Sequence, residues 1–230
     1  MLAGQPSVDG GSIPEQLHRI CGATVTGLEM MGAVVTMRSP QAAEAIVASS
    51  GPTARALTEL EFGLGEGPTR DSFDNRRPVM VDDLTAPGTP WPGFARAAVQ
   101  TGVRAVYAVP LHVGAARFGA FTMYSLGRRR LGPEETRRCL ALAELATELL
   151  LDSSAASPHG AIDPHLASAL DVRSEIYQAQ GMLMVSLRVG LPEALARMRA
   201  HAFAASRDLI DVAADVIARR LDLDNDGTNP

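Results

Sequence analysis

Between Ser153 and Pro164 the chain reads SSAASPHGAIDP, a run of small, Pro and Gly residues that interrupts two helical patterns and continues neither. It divides the 230 residues into unlike parts. Upstream, helical stripes alternate with short strand signals; downstream there is no strand signal, only helical periodicity. A chain divided in this way cannot be one all-α or one all-β unit, and its length suits two domains. The expected organisation is a mixed domain over 13–152, a linker over 153–164 and a helical domain over 165–222.

In the first part, apolar residues at 13, 17, 20, 21, 25 and 28 make a helical stripe. Gly32 to Met37 and Glu44 to Ser49 read as strands, the second closed by Gly51-Pro52. Leu64 to Pro68 (LGEGP) is a tight turn, and Val79 to Val81 a brief strand. A short helix over 94–101 then leads into two strands, Val103 to Val113 and Arg117 to Ser125, joined across Gly114-Ala115 as a hairpin. Gly132-Pro133-Glu134-Glu135 opens a helix to about Leu151, with Pro at its start and carboxylates at its positive end. Leu140, Leu142, Ala143, Leu145, Ala146, Leu149 and Leu150 give that helix an apolar arc wider than one sheet needs. The excess predicts a dimerisation surface.

Downstream, a 23-residue helix is expected over His165 to Leu187, stopped by Gly190 and followed by a second from Pro192 to about Ala205. Asp208 can cap a third helix with Leu209, Val212, Ala213, Val216 and Ile217 on its apolar face. About sixty residues in three helices bury little, so folding alone would be marginal and association through the first helix is the natural remedy. Phe203 falls at a spacing that favours core packing; Tyr177 has a hydroxyl that wants solvent or a partner.

Composition removes several classes of function. Cys21 and Cys139 show no CxxC and no His at ligand spacing, which predicts two buried core thiols, no disulfide and no metal. The basic side chains are all arginine, 14 against 16 acids over 1–161 and 7 against 8 over 162–222, so a nucleic acid could be met only by a local arrangement of arginines. No long apolar run and no basic-then-apolar leader appear, so a cytoplasmic protein with no membrane partner is expected. No P-loop, Gly-x-Ser-x-Gly or His-Glu-x-x-His is present. The expectation is no enzyme, no catalytic residue and no cofactor.

GLGEGPTRDSFDNRRPVMVDD with WPGFARAAVQTGVRAVYAVPLHVGAARFGAFTMYS resembles a GAF domain, and QAQGMLMVSLRVGLPEALARMRAHAFAASRDLIDVAADVIARR resembles an ANTAR domain. Ala179, Gly181, Leu183, Met184, Ala194, Arg199, Ala202, Leu209 and Ala213 all fall on the ANTAR pattern. Together the two cover nearly the whole chain, in the order seen in actinobacterial GAF-ANTAR proteins. The resemblance implies an α+β fold: a PAS-like antiparallel sheet flanked by helices, then an all-α three-helix unit. It further implies a homodimeric transcription antitermination regulator that binds paired hairpin loops in nascent RNA and is controlled by a GAF sensor. The GAF input would be a small molecule or a protein. DNA is not an expected partner. A GAF pocket would lie on the face of the 103–113 and 117–125 strands, lidded by loops around Glu66 and Trp91; the sequence names no ligand.

Two positions depart from the ANTAR pattern. Gln180 stands where the family often has Lys between the Ala and Gly of the first helix, and Met198 leaves Arg199 as the main second-helix arginine. RNA loops are read by guanidinium planes, stacked rings and close backbone approach. The expected RNA-binding residues are therefore Arg173, Gln180, Gly181, Arg188, Arg199 and Arg207. Gly181 costs a helix about 1 kcal/mol relative to Ala, which either RNA approach or helix packing could offset. The competing reading keeps a GAF-based sensory dimer and has the helical domain dock a protein partner instead of RNA.

Overall fold

In the computed structural model, residues 11–38, 44–155 and 173–223 are described. Their first part is a five-stranded antiparallel sheet between two helical layers. The strands are β1 (Gly32–Arg38), β2 (Glu44–Ser49), β3 (Val79–Val81), β4 (Ala105–Val113) and β5 (Ala116–Ser125), in spatial order β2-β1-β5-β4-β3. The expected hairpin is present: Val113 faces Ala116 across Gly114-Ala115. Gly119 on β5 leaves no room for a side chain, since a Cβ there would meet the Thr36 carbonyl of β1.

Alternation along the strands assigns the two faces. Val35, Tyr107, Phe121 and Met123 meet α1 (Ile13–Gly27) and α5 (Pro133–Ala155), which contribute Leu17, Cys21, Cys139, Ala146 and Leu150. Val34, Val106 and Tyr124 meet α2 (Pro52–Leu64) and α4 (Pro92–Gln100), which contribute Leu57, Phe94 and Ala98. A further short helix, α3 (Pro68–Asn75), packs against β4 and β5. Both thiols are fully buried, as expected, and burial pushes Cys21 up to about 12 and Cys139 up to about 11.

The helices α2 and α3 were not legible in the sequence. Thr58, Glu61, Thr69 and Ser72 are buried in them, so polar residues occupy positions where an apolar stripe would be sought. These polar groups are satisfied among themselves and by the sheet. Thr69 donates its hydroxyl hydrogen to Glu61 Oε2 at 2.7 Å, and the Arg70 N–H donates to Glu61 Oε1 at 2.9 Å. Thr58 pairs with the Tyr124 hydroxyl at 3.2 Å. Gly67, at φ 153°, is required here because a Cβ would strike the Glu61 side chain.

The second part is three helices, α6 (Ser174–Ser186), α7 (Leu191–Ala204) and α8 (Leu209–Ile217). Among the described residues the first begins at Ser174 with Arg173 as its N-cap; the expected start at His165 lies outside them, with the rest of 156–172 and most of the 153–164 linker. The stop of α6 also differs. Arg188, not Gly190, takes the left-handed turn at φ 55°, and the Val189 N–H reaches back to the Met184 carbonyl at 3.2 Å. Gly190 instead precedes α7 as its N-cap. Asp208 occupies the N-cap position of α8 but makes no side-chain capping bond.

The three-helix core holds Ile176, Ala179, Leu183, Leu195, Met198, Val212 and Val216. Phe62 of α2 belongs to the same cluster. A marginal helical unit thus completes its core with a ring from the first domain of its own chain. Phe203, expected in this core, is instead 75% exposed, on the wall of an open cleft between α2 and the start of α8.

Candidate nucleic-acid interface

Arg173, at the start of α6, is only 3% exposed. Its guanidinium lies 3.7 Å from the centre of the Phe62 ring, donates to Glu59 Oε2 at 2.6 Å and to the Glu44 carbonyl at 3.2 Å. One turn on, the Tyr177 hydroxyl accepts from the Glu44 N–H at 2.6 Å and donates to the Glu44 carbonyl at 2.9 Å. Arg199, on α7, covers the Phe62 ring at 4.9 Å and donates from Nε to the Phe62 carbonyl at 2.8 Å. Two arginines therefore flank one phenyl ring, with Tyr177 edge-on to it at 6.4 Å. Burial, with Arg70 nearby, pulls Arg199 down to about 10, still cationic at neutral pH.

The other expected residues are placed differently. Gln180 is buried and donates to the Leu191 carbonyl at 2.7 Å, tying α6 to the start of α7. Gly181 lies on the same helix with open space where a Cβ would stand. Helix packing among the described residues thus gives no reason for glycine there. Arg188 is exposed in its left-handed turn and its side chain makes no hydrogen bond or ion pair to any described residue. Arg207 pairs with Asp215 at 2.6 Å. Arg197, two residues from Arg199, is exposed and pairs with Glu193 at 2.7 Å.

The six expected residues consequently fall into two sets. Arg173 and Arg199 converge on Phe62 of the sheet domain; Gly181 and Arg188 remain on outer surfaces of the helical unit, Arg207 lines the cleft between α2 and α8, and Gln180 is internal. Sequence reasoning did not find Phe62, Glu59 or Glu44, which lie more than a hundred residues away from their arginines in the chain. The loops expected to lid a pocket close on each other: Glu66 Oε1 accepts from the Gly93 N–H at 2.7 Å, and Trp91 Nε1 donates to Asp71 at 2.9 Å. Among the described residues no cluster of His, Cys, Asp or Glu could hold a metal, and no helix is long and apolar enough to cross a membrane.

Family profiles match both parts of the chain, a GAF domain over residues 12–150 and an ANTAR domain over 165–217. The chain is a GAF-ANTAR protein. Solved GAF folds agree with the first assignment. The GAF domain of a phosphoenolpyruvate-protein phosphotransferase from Coxiella burnetii superposes with a TM-score of 0.53 at 14% identity, covering 64% of this chain and 86% of that one. A domain of a putative two-component sensor histidine kinase from Sinorhizobium meliloti 1021 gives 0.51 at 16% identity, covering 62% and 93%. At such identities the likeness concerns the fold alone. No curated protein matches the chain. Both domains of the GAF-ANTAR protein are regulatory and non-catalytic, and its ANTAR domain implies an RNA-binding antitermination regulator with a GAF sensor.

Proposed function

We propose that the ANTAR helices bind paired hairpin loops in nascent RNA as part of a homodimer, and that the GAF domain controls this by holding Arg173 and Arg199. The ANTAR match over 165–217 carries the reading. Two features support it: the open space at Gly181, where glycine costs stability without a packing need, and Arg188, exposed in a strained backbone conformation. Phe203 adds an exposed ring on which a base can stack. The dimer is supported by α5, where Leu140, Leu145 and Leu151 stay exposed after the sheet face is covered. In the observed arrangement Arg173 and Arg199 serve the GAF domain, so their use on RNA requires the two domains to part.

Filter-binding titration against a tandem-hairpin RNA, repeated over a salt series, tests this. Affinity is expected to fall steeply with salt, by a slope set by the number of phosphates contacted. Arg188→Ala should cost about 1 to 3 kcal/mol and Arg197→Ala almost nothing. Phe62→Ala, which removes the ring both guanidinia cover, should tighten RNA binding, and in that background Arg199→Ala should lose the gain. An absence of saturable binding would favour the protein-docking alternative. Equal losses for Arg188 and Arg197 would reduce the effect to bulk charge.

A further inference from the structure

Along the outer side of α2, Ala56, Leu60 and Gly63 face Leu209 and Ile210 at the start of α8 across an open cleft of about 960 Å³. That size is ample for a small molecule, and the walls are mostly apolar. The α2 stripe from Pro52 to Gly63 is about 17 Å long at 1.5 Å per residue. An extended aliphatic chain fits such a trough better than a compact polar one. Apolar side chains left uncovered there, Ile210 among them, gain by being covered.

Two cations of the lining have no ion-pair partner among the described residues: Arg55, exposed at the start of α2 one turn before Glu59, and Arg199, half-buried beside Phe62. Arg199 spends Nε on the Phe62 carbonyl, while its terminal nitrogens have no hydrogen-bond partner and no carboxylate within ion-pair distance among the described residues. The charges felt by Arg199 include the repulsive Arg70 and Arg38 and the attractive Glu44. Of the other charged groups of the lining, Glu59 is engaged with Arg173 and Arg207 with Asp215, Asp208 lies at the α8 start, and Arg55 stands exposed at the start of α2, away from the half-buried Arg199 at Phe62. An anionic group is therefore favoured at Arg199 and disfavoured near Glu59 and Asp208. This gives an occupant its orientation.

We propose that the interdomain cleft binds a small amphipathic carboxylate, with its aliphatic chain along α2 and its carboxylate on the Arg199 guanidinium. Walls from both domains make such a ligand a brace for the docked arrangement. Its effect on RNA rests on the proposed function; binding itself does not. The site is distinct from the sheet face of the GAF fold, as no residue of β4 or β5 lines it.

Calorimetric titration of the full chain with octanoate, and with octan-1-ol as the uncharged probe, tests the site without RNA. Octanoate should bind saturably with a Kd below about 1 mM, and octan-1-ol at least about tenfold more weakly. Arg199→Gln should abolish the preference for the acid. Because that change also loses a bond to Phe62, a second variant is needed: Ala56→Trp fills the cleft from an exposed position and should eliminate octanoate binding while circular dichroism stays unchanged. Non-saturable octanoate binding, equal binding of acid and alcohol, or wild-type binding by folded Ala56→Trp would each overturn the proposal. If octanoate binds as expected and no variant or condition gives RNA binding, the proposed function fails and the ligand site stands.

Discussion

Glu61→Gln is the substitution whose effect follows most directly from the structure. Glu61 is 3% exposed, and burial pushes its carboxyl from an ordinary 4.5 up to about 8, although the Thr69 hydroxyl and the Arg70 N–H bond to it. Between those two values the folded chain holds a proton that the unfolded chain has released. Folded protein then binds more protons than unfolded, so stability falls as pH rises through this window and levels off above about 8. The expected loss is on the order of 3 kcal/mol by pH 7 and 5 kcal/mol by pH 9. Glutamine can accept from the Arg70 N–H and donate to Thr69 Oγ1, keeping the local bonds without the ionisation. Urea unfolding followed by fluorescence of Trp91, the single tryptophan and a buried member of the GAF core, reports the relevant domain. The variant and wild type should agree within about 1 kcal/mol at pH 5, and the variant should gain on the wild type by about 4 kcal/mol between pH 5 and 9. Comparing the two chains cancels other titrating groups. A difference that stays constant within 1 kcal/mol over that range would refute the assignment of a protonated Glu61.

Two further perturbations separate the dimer from the domain contact. Leu145, 50% exposed on α5, should lose the dimer when changed to Glu while Trp91 fluorescence is retained; a monomeric wild type, or a dimeric variant, by light scattering would end the α5 interface. Inserting about ten Gly/Ser residues after Ser157 lowers the effective concentration at which the ANTAR helices meet α2. RNA affinity of the inserted chain should then approach that of Phe62→Ala, and wild-type affinity would remove the contact from the control mechanism.

Strand alternation made the β4-β5 hairpin legible, and Pro-Glu-Glu marked the start of α5, because both signals lie within a few residues of the structure they specify. The α2-α3 layer was not legible for the opposite reason. Its buried Glu61 and Thr69 are stabilised by each other and by the sheet, and single-sequence periodicity registers them as surface. Arg173 and Arg199 illustrate the same limit at the candidate site. A lone arginine reads as solvated or RNA-facing; the ring and carboxylates that hold these two come from α2 and β2, far away in sequence. Phe203 failed in the other direction, as a ring at helical spacing whose face the third helix does not cover. Gly181 could be singled out from sequence, but only the fold could show that no neighbour needs the space.

The pair of thiols between the sheet and its outer helical layer has a practical meaning for the dynamics of the molecule. Cys21 belongs to α1 and Cys139 to α5, both sealed from solvent and both held in the unreactive protonated form. An alkylating reagent can reach either one only when its helix lifts from the sheet. The rate of modification in native buffer is thus a chemical clock for opening of that layer, with one natural reporter on each helix. Identifying which cysteine is modified first tells whether α1 detaches alone or together with α5, at local opening energies that bulk unfolding cannot resolve.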